Sequence, residues 1–130
     1  MALIAKSGTP SLASPTPSRE NTVTGLLAGE AIAAGDVCYV ASDGTVMRAN
    51  GTAANAAAVG FGIAGGAAAS GEAVTLFRRA NFHYGAGMTP GTALYVATTA
   101  GGLDTATTTG GTVVVARVIS PTRIAFSGQA

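Results

Sequence analysis

An all-β domain, a small barrel or sandwich built from one β unit used twice and preceded by an extended N-terminal arm, is the fold class this sequence predicts. Three observations predict it. A Gly-led alternating segment, Gly35-Asp36-Val37-Cys38-Tyr39-Val40-Ala41, returns 56 positions later as Gly91-Thr92-Ala93-Leu94-Tyr95-Val96-Ala97. The same offset pairs Ile32 with Met88, Val59 with Val115 and Ile63 with Ile119. Short alternating or β-branched runs recur every 8 to 12 residues or so, with Gly, Asp, Asn and Ser between them, the spacing of a barrel or sandwich. The chain also lacks a helical stretch of useful length: Ala53 to Ala58 is the one candidate, and six residues sustain no more than a turn.

Residues 1–21 stand apart from the rest. Pro10, Pro15 and Pro17 lie among Ser and Thr, a composition that disfavours helix and ladder and predicts an extended arm. Its apolar tip is Leu3-Ile4, and Lys6, Arg19 and Glu20 are its charges. Residues 22–130 form the predicted β domain. Its strand candidates are Thr22 to Leu27, Asp36 to Ala41, Thr45 to Arg48, Val59 to Ala64, Ala73 to Arg79, Ala93 to Ala97, Thr112 to Ile119 and Arg123 to Ser127. Asp43-Gly44 is a hairpin dipeptide in the first copy, and Gly101-Gly102 takes its place in the second. Two copies are too few for a solenoid, so the units are expected to pack as two halves of one body.

Composition narrows the function. With 130 residues the chain suits one domain, but Trp is absent and only seven aromatics are present, so the core of an isolated monomer is lightly filled. Charged residues are 10% of the chain, against about a quarter in ordinary soluble domains. A neutral surface of Ala, Thr and Gly suits protein neighbours, because docking then desolvates few ions. A homo-oligomer, specifically a trimer, is expected. A net charge of +1 with no Lys/Arg stripe argues against nucleic-acid binding. No apolar run approaches the length of a membrane span, and none forms a signal-peptide core. The chain is therefore expected to be made in the cytoplasm.

The chemical motifs read as structural. Gly60-Phe61-Gly62-Ile63-Ala64-Gly65 matches the dinucleotide fingerprint in letters, but no helix follows it and no acid stands about 20 positions on. Close backbone packing at a strand end accounts for it, and no cofactor is expected. His83, the single histidine, sits between Phe82 and Tyr84 with neither a carboxylate nor a nucleophile near it in sequence, and Cys38 reads as a buried small hydrophobe. One His and one Cys lack the companions a metal needs. Asn50-Gly51-Thr52 reads as a turn. Arg78-Arg79 reads as a solvated pair with at most one cation in an interface, and Glu72 and Asp104 are candidate partners for Arg117 and Arg123. The chain is expected not to be an enzyme.

Taken together, the arm, Gly29-Glu30-Ala31-Ile32, Val59-Gly60-Phe61-Gly62-Ile63-Ala64, Gly71-Glu72-Ala73-Val74-Thr75-Leu76, Gly91-Thr92-Ala93-Leu94-Tyr95-Val96 and Ala116-Arg117-Val118-Ile119-Ser120 resemble the capsid decoration, or cement, proteins of tailed bacteriophages. The resemblance covers roughly residues 22 to 127 and contains no catalytic signature. It implies a β-rich trimer on the outer capsid surface of the virion, bound to the major capsid protein and locking neighbouring capsid subunits together. In that family an N-terminal segment commonly reaches the capsid. Leu3, Ile4, Lys6, Pro15, Pro17 and Arg19 of the arm are therefore the expected capsid contacts. A head-fibre or glycan-binding module is the alternative, with Phe82-His83-Tyr84 as its aromatic platform.

Overall fold

The computed structural model describes residues 3–13 and 21–129. Twelve strands are formed among them: β1 (Leu3–Ile4), β2 (Ser11–Leu12), β3 (Thr22–Leu27), β4 (Val37–Val40), β5 (Val46–Arg48), β6 (Gly62–Ala64), β7 (Ala73–Phe77), β8 (Arg79–His83), β9 (Ala93–Val96), β10 (Leu103–Asp104), β11 (Ala116–Ser120) and β12 (Arg123–Ser127). They make two antiparallel sheets. One has five strands in the order β3-β7-β6-β4-β5, the other seven in the order β1-β10-β9-β11-β12-β8-β2.

Alternation within the strands decides what lies where. In the seven-stranded sheet Phe82, Leu94, Val96, Val118, Ile124 and Phe126 point inward, and they meet Val37, Ile63 and Phe77 from one face of the five-stranded sheet. The five-stranded sheet is buried on its other face too. Cys38, Ala64, Val74 and Leu76 form a second, smaller core there, covered by Ala28 and Ile32 from the β3–β4 connection and Ala68 from the β6–β7 connection. The cover is tied down by antiparallel bonds between Ile32 and Ala68, 2.8 Å and 2.9 Å in the two directions.

The predicted run Ala73 to Arg79 divides at Arg78. β7 pairs with β3 and β6 in one sheet, and β8 pairs with β12 and β2 in the other, so the chain turns the corner between layers there. Arg78 braces that corner through its backbone, donating to Asn21 O at 2.7 Å and accepting from Gly128 N at 2.7 Å. The Ala53 to Ala58 segment supplies a single 3₁₀ turn, Ala56–Ala58, capped by the Asn55 side chain.

The expectation that the arm makes no ladder bonds is corrected for residues 3–13. β1 adds to β10 at one edge of the seven-stranded sheet, and β2 adds to β8 at the other. Each strand is only two residues long and avoids proline, and Ile4 and Leu12 gain burial against the main core. The link between them constrains the whole sheet. Seven flat strands at about 4.8 Å spacing put the edges about 29 Å apart, whereas the chain from Ile4 to Ser11 reaches at most about 25 Å when fully extended. The sheet therefore curls. The strap passes tightly over Gly35, where an added Cβ would meet Pro10 at 2.5 Å, and Gly35 holds a φ of +82°.

Candidate interaction surface

The outer face of the seven-stranded sheet is the broad open surface of the described structure. Alternation turns Arg79, Asn81 and His83 outward from β8, Arg123 and Ala125 from β12, Arg117 and Ile119 from β11, and Ala93 and Tyr95 from β9. The registers align Ala93, Arg117, Ala125 and Asn81 in one row across four strands, with Arg123 and His83 paired in another. A shallow depression of about 370 Å³ lies beside Arg79, Asn81, Ala125 and Ser127. Small residues leave the backbone approachable, and the guanidinium groups stand between them.

None of these cations is neutralised by a carboxylate among the described residues. Arg117 Nη1 donates to Gly91 O at 3.0 Å, and Arg123 Nε to Ser120 Oγ at 3.3 Å. Glu72 instead accepts from Ala69 N at 2.7 Å, so the sequence-based pairing of Arg117 or Arg123 with Glu72 is not formed. Arg78 and Arg79 part company: Arg79 is exposed, whereas Arg78 packs over Phe61 and donates to Gln129 O at 2.7 Å.

The expected contact residues of the arm are dispersed. Leu3 is 48% exposed on β1; Ile4 packs on the main core. Lys6 makes an ion pair with Asp36, a residue of which 4% is exposed and which also accepts from Ala33 N at 2.8 Å. Pro15, Pro17 and Arg19 lie outside the described residues.

His83 and Cys38 are far apart in the architecture. His83 is exposed on the outer sheet face, while Cys38 is fully buried in the second core, its Sγ donating to Asp36 O at 3.4 Å. Burial, reinforced by the Asp36 carboxylate, pushes the Cys38 thiol well above its ordinary value. The aromatic platform is not on the surface: Phe82 and Tyr84 are 0% and 1% exposed. Burial first and Asp36 second raise the Tyr84 phenol as well, and its hydroxyl has no hydrogen-bond partner among the described residues. Gly62–Ala64 of the fingerprint-like stretch are strand β6, and an added Cβ at Gly60 would touch Val115, Val37 and Val96 at 3.0 to 3.3 Å. No group of three His, Cys, Asp or Glu side chains among the described residues could hold a metal ion. No described helix is long and apolar enough to cross a membrane.

Arg79, Arg117 and Arg123 stand out singly in the sequence, and the one sequence signal of their gathering in the second half is the division of charge along the chain. Residues 22–76 carry Glu30, Asp36, Asp43 and Glu72 against Arg48, a net −3, and residues 77–129 carry Arg78, Arg79, Arg117 and Arg123 against Asp104, a net +3. No protein-family model, curated protein or solved structure matches this chain.

Proposed function

We propose that this chain is a structural virion protein that coats the outer surface of a phage capsid as a homotrimer and stabilises the head by bridging major capsid subunits. The observation that carries this reading is the outer sheet face, whose row of Ala93, Arg117, Ala125 and Asn81 sets small and polar residues around a guanidinium, with Arg79 and Arg123 on the same face and no carboxylate paired to any of them among the described residues. Small residues on such a face let a protein neighbour approach closely, and its guanidinium groups favour a neighbour of opposite charge. The sequence resemblance to cement proteins supports the same reading. A ligand that binds only the assembled shell stabilises it by mass action, multiplied over many sites.

The architecture proposed for this role is one β unit used twice. The supporting observation is strand order: β3 to β7 pair as β3-β7-β6-β4-β5, and β8 to β12 pair as β8-β12-β11-β9-β10, the same order displaced by five strands. Capsid contact from the arm falls to exposed Leu3 together with Pro15, Pro17 and Arg19, since Ile4 and Lys6 are engaged within the fold. The test is to add purified protein to expanded heads that lack it. Co-sedimentation, with added density at local three-fold positions by cryo-electron microscopy, is the expected result. Heads that neither bind the protein nor gain thermal stability would overturn the proposal.

A further inference from the structure

The two halves of the chain stack back to front, and the outermost faces of that stack carry opposite charge. In the first half, Ile32 and Cys38 lie on the covered front of their sheet. Their counterparts 56 positions on, Met88 and Leu94, lie on the inner face of the second sheet, in the main core. The reverse side of the first sheet presents a row fixed by register, Val37 beside Ile63 beside Phe77, and that row is buried against the front of the second sheet. The register gives the second sheet the same row, Ala93 beside Arg117 beside Ala125, and this one faces outward. One geometric position is thus filled by large apolar groups where the contact is internal. Where the position faces outward it holds small residues around a cation.

We propose that this outward row docks on the front of the first half of a second copy of the chain, continuing the internal stacking between molecules as a head-to-tail contact. Charge complementarity selects that occupant. The docking row brings Arg117, with Arg79 and Arg123 on the same face. The opposite pole is the cover over the second core, where Ala31, Ala67, Ala69 and Glu72 are exposed and Glu30 is partly so. Glu30 is matched by Arg48 at 3.2 Å, but Glu72 has no cation partner among the described residues. Small residues on both sides allow close approach, and opposite fields orient the encounter. A head-to-tail contact is heterologous, the interface class that closes into a ring when the rotation permits. This deepens the homotrimer reading above, because a three-fold ring requires such an interface.

The test uses the purified full chain without heads, so its outcome is separate from capsid binding. Sedimentation equilibrium of the wild-type chain is expected to show a ring-sized species that weakens at least about tenfold between about 0.05 and 0.5 M salt, as screening shortens the Debye length. Arg117→Glu and Glu72→Lys are each expected to weaken self-association by about tenfold or more, and a chain carrying both changes to regain it, because every contact of the ring then joins opposite charges again. Circular dichroism checks that both variants fold; the salt dependence of the wild type needs no variant. A wild-type chain still monomeric at about 100 µM in low salt would overturn the proposal. Self-association insensitive to salt, or lost on Arg117→Glu and untouched by Glu72→Lys, would do the same, the latter by revealing a symmetric face-to-face pair.

Discussion

The guanidinium carbon of Arg78 lies 4.1 Å from the centroid of the Phe61 ring, at the point where the chain turns from the five-stranded to the seven-stranded sheet. The same side chain donates to Gln129 O at 2.7 Å, and Gln129 in turn donates its N–H to Gly60 O and accepts Gly60 N on its side-chain oxygen, both at 2.8 Å. Arg78 therefore joins the corner, the C-terminal segment and the approach to β6 in one cluster. Planarity matters, because only a flat cation can stack and donate in plane together.

Arg78→Ala is expected to destabilise the fold by about 2 kcal/mol, through loss of the cation–π contact and a charge-assisted hydrogen bond. Arg78→Lys should recover less than half of that, since an ammonium cannot make both contacts. Urea denaturation of the three proteins measures it; a lysine variant as stable as wild type would show that charge alone suffices.

What the sequence disclosed and withheld follows physical lines. The β4–β5 hairpin was legible because Asp43-Gly44 carries its own local chemistry: Gly44 has a φ of +85°, and the Asp43 carboxylate accepts from Thr45 N and Oγ1, which holds it below its ordinary value. The switch at Arg78 left no such mark, since no turn residue separates Phe77 from Arg79 and the break exists only in which sheet each side joins. β1 and β2 were hidden for a related reason: their ladders are made with Leu103 and Asp104 and with Phe82 and His83, distant partners that leave no pattern near Leu3 or Ser11. Of the candidate surface, Arg117 and Arg123 were visible as residues. Their common face was not, because it depends on register.

High pH should unfold the protein through Cys38 and Tyr84. Both groups are held neutral in the folded state, with values raised above their ordinary 9.0 and 10.0, by burial first. An acid whose folded value is raised contributes stability that is fully present below the unfolded value and is lost as pH rises above it, because only the unfolded chain can ionise. Stability should therefore be level up to about pH 8 and fall steadily above about pH 9. Cys38→Ala should flatten the fall at a cost of about 1 kcal/mol at neutral pH. Tyr84→Phe should flatten it while leaving neutral-pH stability unchanged or higher, since its hydroxyl has no hydrogen-bond partner among the described residues to lose. Denaturation midpoints from pH 7 to 11 decide it; parallel slopes for wild type and both variants would refute the linkage.

Gly110 is expected to tolerate no side chain. Its N–H donates to Gly51 O at 2.8 Å, and a Cβ there would lie 1.7 Å from Ala53 O and 2.6 Å from the Ala58 Cβ. Backbone cannot yield as a flexible side chain does, so Gly110→Ala should cost more than about 2 kcal/mol by forcing the 50s turn away from the second half. Gly66→Ala, where no atom lies within 4 Å of the added carbon, is the control and should be near neutral. Equal thermal midpoints for the two variants would contradict this packing.

The last prediction concerns Lys6 and the strap that carries it. Lys6 reaches Asp36 across the end of the five-stranded sheet, and the side chains are 27% and 6% exposed. Removing one partner of such a pair leaves a nearly buried carboxylate without its counter-charge, a loss of about 3 kcal/mol where pairs are buried. Asp36 keeps the hydrogen bond from Ala33 N, which limits the damage. Lys6→Ala should therefore lower stability by about 2 kcal/mol, and Lys6→Ala with Asp36→Asn by less than either change alone would suggest. Deleting residues 1–13 removes more, because β1 and β2 come off both edges of the seven-stranded sheet and Ile4 and Leu12 leave the core. That truncation should lower the thermal midpoint clearly, in proportion to the lost ladder and burial, and weaken head binding as a consequence. Leu3→Ala separates the two effects: Leu3 is 48% exposed, so this change should leave stability within about 0.5 kcal/mol while weakening head binding if the strand edge touches the capsid. A truncated chain with an unchanged midpoint would show that the strap is an appendage and that the curl of the sheet is held by the remaining strands.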